Sequence, residues 1–73
     1  MRPQVGTELT LTEPEYKFGV GSLLCRVTHV IAPVLFDNAL WWHLRGECAY
    51  GTHEHHSGWQ TRELYVIDSA ITK

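Results

Sequence analysis

His53-Glu54-His55-His56 is the densest group of chemically capable side chains in the sequence, with Cys48 and His43 close by along the chain. Imidazole and thiolate are good zinc ligands, and alternate residues on a loop can converge on one ion. No Cys-x2-Cys or His-x3-His spacing accompanies them, so His53, His55 and His56 are metal candidates without a standard pattern. The competing reading is a solvated hairpin that happens to be rich in histidine. Cys25 with His29, or Cys48 with His53, could serve as nucleophile and base, but neither pair has an evident oxyanion donor or orienting carboxylate. A small barrel also has little room for a deep pocket. No catalytic residue and no cofactor are expected. A third set is Trp41, His43 and Arg45, a large rigid ring beside two polar side chains that together suit binding rather than bond making.

The element that must position that third set is the stretch Leu40 to Cys48. Side chains on a strand alternate between faces. Leu40, Trp42, Leu44, Gly46 and Cys48 then form an apolar or small face, and Trp41, His43, Arg45 and Glu47 form the other. A helix would scatter the two indoles and the charges around its axis. The alternation predicts a strand with Trp42 in the core and Trp41 in solvent. Trp42→Ala should then unfold the domain, while Trp41→Ala should be nearly silent for folding.

Val5 to Thr12 alternates in the same way and reads as a first strand. Glu13 to Ser22 contains Pro14, Gly19 and Gly21 and reads as a long irregular loop carrying Tyr16 and Phe18. Leu23 to Ile31 is a second strand, bent by a bulge near Thr28 that would aim His29 outward. Residues 32–39 form a connection with turn chemistry at Asp37-Asn38, and Pro33 ends the strand before it. Tyr50 to Gly58 is a polar hairpin tip. Trp59-Gln60 returns as a short strand, Thr61 to Leu64 suits a single 3-10 turn, and Tyr65 to Ile67 closes as a last strand. Residues 69–73 read as a loose tail.

If residues 32–39 join antiparallel neighbours, their centre sets Ile31 opposite Trp42, Val27 opposite Gly46 and Cys25 opposite Cys48. The 50–58 connection similarly brings Arg45 near Glu63, a cross-strand ion pair. A facing Cys25 and Cys48 read as two reduced core thiols, with a disulfide as the alternative.

Together these elements predict an all-β, five-stranded open barrel with one short 3-10 turn, a single domain with its core at about 5–68. Trp41-Trp42-His43-Leu44-Arg45 resembles the paired-tryptophan strand of SH3 domains. Gly58-Trp59-Gln60-Thr61-Arg62-Glu63-Leu64-Tyr65-Val66 resembles their closing segment. The resemblance implies an SH3-like barrel whose first tryptophan (Trp41) lines a peptide groove beside the final tyrosine (Tyr65) and loop aromatics, here Tyr16 and Phe18. The chain departs from the family pattern in three places. Its first strand lacks the Ala-Leu-Tyr-aromatic signature, its first loop carries only Glu13 and Glu15 as acidic residues, and Gln60-Thr61 stands where the closing proline is usual.

Composition limits the partners. The chain has 73 residues, 44% of them hydrophobic, with six basic and eight acidic side chains and a formal charge of −2, so no basic cluster is available to neutralise a run of phosphates. Neither a signal-like start nor an apolar stretch long enough to cross a bilayer is present, which makes a cytoplasmic protein the expectation. The expected function is a non-enzymatic protein- or peptide-interaction module with a face of Trp41, His43, Arg45, Tyr16 and Tyr65. The alternatives are a small nucleic-acid-associated barrel using Arg26, Arg45, Arg62 and Trp41, and a zinc-binding accessory protein.

Overall fold

Two long antiparallel strands, Leu23–Phe36 (β2) and Ala39–Tyr50 (β3), form the middle of the molecule, with Glu8–Leu11 (β1) beside β2 and Gln60–Ile67 (β4) beside β3. The computed structural model describes residues 3–17, 21–52 and 54–72, so Phe18 and His53 lie outside the described residues. Among these there is one antiparallel sheet, in the order β1-β2-β3-β4, curled into a half-barrel. The sheet has four strands where five were expected, because Gln60 to Ile67 runs as a single strand through the segment assigned to a 3-10 turn. Thr61 to Glu63 find ladder partners in Glu47, Gly46 and Arg45, and pairing overrides the local turn preference. The 3-10 turn lies instead at Glu13–Glu15, where the Thr12 backbone N–H donates to the Glu15 carboxylate at 2.9 Å.

Pro33 does not end β2. β1 covers β2 only over Leu23 to Arg26, so one edge of β2 carries no strand partner at Pro33, and a residue without an N–H is tolerated there. Asp37 and Asn38 turn the chain with φ of 51° and 62°, the left-handed geometry of a two-residue hairpin that follows the sheet's twist. Cys25↔Cys48, Val27↔Gly46 and Arg45↔Glu63 pair as the sequence suggests. Ile31 does not face Trp42. Register shifts at Thr28 and again at Ile31 hand that place to Pro33. The first shift leaves His29 exposed, and the Thr28 hydroxyl donates to the Arg45 carbonyl at 3.0 Å.

The core is built on the concave side from Leu9, Leu11, Leu23, Val27, Leu44, Leu64 and Val66, together with Cys25 and Cys48. Those cysteines form a disulfide between β2 and β3, with Cα atoms 4.2 Å apart. The reading as reduced thiols is thereby corrected: directly opposed residues on neighbouring strands bring their Cβ atoms within bonding reach. Gly46 has no room for a side chain, since a Cβ there would meet the Arg26 carbonyl at 2.5 Å. Residues 69–73 were read as a tail, but Asp68–Thr72 is a short helix (α1) that seats Ala70, 4% exposed, in the core. Its first residue is held by Trp42, whose indole N–H donates to the Asp68 carboxylate at 2.9 Å.

Candidate functional site

Trp42 packs against the core from the concave face and Trp41 projects to the opposite face, as strand alternation requires. The second half of that expectation fails, because Trp41 is only 9% exposed. It is the wall of a cavity of about 370 Å³ whose other lining residues are Lys17, Val34, Phe36 and Tyr65. Val34 is its partner on β2, and Phe36 comes from the end of that strand. Lys17 arrives from the β1–β2 connection, which lies along the edge of β4. Tyr16 bridges to Val66 there, and the Lys17 backbone N–H donates to the Tyr65 carbonyl at 3.0 Å. The connection thus carries the Lys17 side chain over the rings, with Nζ 3.6 Å from the Phe36 centroid and 4.4 Å from that of Trp41. Both distances are within cation–π range.

The Trp41 indole N–H is buried and has no hydrogen-bond partner among the described residues. A buried donor left unpaired costs about 1–3 kcal/mol relative to a satisfied one. Beyond Tyr65 the face turns polar. The His43 ring stacks on Tyr65 with centroids 4.6 Å apart and an interplanar angle of 18°. Glu63 joins His43 Nε2 at 2.9 Å and the Arg45 guanidinium at 3.0 Å through its two carboxylate oxygens. The Arg45 guanidinium first, and the His43 ring second, hold the Glu63 carboxyl below the ordinary glutamate range.

The structure therefore gathers four of the five expected binding residues: Trp41 and Tyr65 line the cavity, and His43 and Arg45 continue the same face. Tyr16 is a correction. It is 2% exposed, belongs to the core and donates its hydroxyl to the Gly21 carbonyl at 2.9 Å, because the β1–β2 connection turns that ring inward as it meets β4. Lys17, Val34 and Phe36 were not anticipated. Reading Pro33 as the end of β2 places Val34 and Phe36 in a loop, whereas both lie in the strand.

Neither of the other constellations assembles among the described residues, which do not include His53. His56 donates through Nδ1 to the Ser57 carbonyl and tilts against Trp59, and no group of three metal-ligating side chains forms among the described residues. Cys48 is engaged in the disulfide, which removes its thiolate from any metal set and removes both candidate nucleophiles. The arginines are distributed: Arg26 lies 3.7 Å from Glu8, Arg45 pairs with Glu63, and Arg62 donates to the Tyr50 hydroxyl at 2.7 Å. No helix among the described residues is long and apolar enough to cross a membrane. Compared with models of protein families, with curated proteins and with solved structures, the chain matches none.

Proposed function

We propose that this chain is a non-catalytic protein-interaction module whose Trp41 cavity takes an extended, apolar peptide segment. The carrying observation is the cavity itself: the rings of Phe36, Trp41 and Tyr65 with Val34 and the Lys17 side chain, and an indole donor that lacks an acceptor among the described residues. A stiff, proline-rich segment fits such a wall because it loses little conformational entropy on binding. The His43–Glu63–Arg45 group at one end would supply polar contacts that fix its direction. The half-barrel is compatible with the SH3-like architecture that the Trp-Trp and Tyr-Val segments resemble. The separated and mostly partnered arginines favour this reading over the nucleic-acid alternative. A closed disulfide favours an oxidising compartment over the cytoplasm.

The test is titration of ¹⁵N-labelled protein with a proline-rich decapeptide and, separately, with a single-stranded oligonucleotide. The peptide should move the Trp41 indole and Tyr65 amide resonances, and the oligonucleotide should leave them in place. Movement by the oligonucleotide alone would transfer the assignment to a nucleic-acid module. No movement by either at millimolar concentration would remove the peptide reading.

A further inference from the structure

We infer that the Phe36–Trp41–Tyr65 box is a receptor for an alkylated ammonium group on a partner, and that Lys17 fills it in cis until that partner arrives. The inference rests on the cavity's being a docking site and specifies what docks there. Lys17 Nζ sits over two ring faces, and the lining of the cavity contains no carboxylate among the described residues. The π faces therefore supply the negative potential by themselves.

That arrangement suits Lys17 poorly. A primary ammonium carries three N–H donors, yet Nζ meets no hydrogen-bond acceptor among the described residues. Its placement trades hydration for contact with rings that accept only weakly. A trimethylated ammonium keeps the same charge, has no N–H to satisfy, is far less tightly hydrated and presents methyl groups that match an apolar wall. The box is thus better matched to a soft cation than to the hard one it holds. Lys17 can also leave without disturbing the fold. Its attachment to the sheet is through the backbone N–H to Tyr65, the residue is only partly buried, and Phe36 is 50% exposed at the cavity mouth. A site occupied by its own side chain binds an outside ligand more weakly by the fraction of time it is closed.

The experiment compares trimethyllysine amide, lysine amide, tetramethylammonium chloride and a proline-rich peptide, each followed by the Trp41 indole resonance at matched ionic strength. Trimethyllysine amide and tetramethylammonium should move that resonance and lysine amide should not. In Lys17→Ala the trimethyllysine affinity should rise about five- to tenfold, because the competitor is gone. Phe36→Ala, at an exposed position, should keep the native amide spectrum and lose the response. Equal responses to lysine and trimethyllysine, or unchanged affinity in Lys17→Ala, would overturn the inference. A response to the proline-rich peptide alone would overturn it while leaving the cavity as a peptide site. Silence towards all four probes would remove both.

Discussion

Trp41 and Trp42 are neighbours with different tasks, and each task can be probed by a single substitution. Trp42 links the core to α1 through its indole N–H on Asp68. Trp42→Phe keeps most of the ring but removes that donor, and should cost about 1.5–3 kcal/mol in denaturant unfolding, as for a hydrogen bond to a charged acceptor. Trp41→Ala will not be silent, contrary to what alternation alone suggests. With 9% exposure, loss of its ring should cost about 3 kcal/mol, within the range for buried aromatics, though core packing stays in place. Trp41→Phe is the gentler test. It deletes an unpaired donor, a gain offset by the packing lost with the smaller ring, and should change stability by less than about 1 kcal/mol. Glu63 gives a pH readout. Its carboxyl titrates below the ordinary range in the folded chain, so its contribution to stability is present above the unfolded value and is lost as pH falls through the lowered one. Arg45→Met removes the larger cause, and the Glu63 carboxyl midpoint, followed by ¹³C NMR, should move upward. An unchanged midpoint would separate the pair seen here from the shift.

Among the elements, the β2–β3 pair was the most legible part of the chain. Alternation in Leu40 to Cys48 and the turn residues Asp37-Asn38 make the two strands neighbours, and the expected Cys25↔Cys48 and Val27↔Gly46 pairs are both found. The count fails beyond Val27, because the bulge at Thr28 and a second at Ile31, which no local pattern announces, each add a residue to β2. Pro33 misleads for a related reason: whether a missing N–H matters depends on what lies alongside, which is a property of the sheet and not of the residue. The enclosure of Trp41 was hidden in the same way. Parity says which face a ring takes, but Lys17 comes from a connection whose path is set by Tyr16 meeting Val66. Two substitutions test the pairing. Asn38→Gly should stabilise the hairpin, by about 0.5 kcal/mol, since its φ of 62° is one that glycine adopts without a side-chain clash. Gly46→Ala should destabilise by roughly 2 kcal/mol or more, because the added methyl meets the Arg26 carbonyl and the backbone must shift.

The molecule as a whole has two ends. Leu23 to Val27 and Gly46 to Tyr50 hold most of the buried residues of β2 and β3 and the disulfide. Beyond them the hairpin carries Leu35 at 74% exposure and Phe36 at 50%, together with the cavity wall. The disulfide spans 23 positions of sequence, and closing a loop of that size limits the unfolded chain by about 3 kcal/mol. Reduction should lower the unfolding free energy by about that amount, read from denaturant melts with and without dithiothreitol. The covalent tie sits at the end away from the cavity, and this asymmetry has a kinetic consequence. Backbone amides around Cys25 and Val27 should exchange with deuterated solvent only when the entire chain opens, whereas those past Val34 should exchange through fraying of the hairpin. Protection should therefore decline along a single strand, and the stretch that greets a visitor would be the one quickest to come loose.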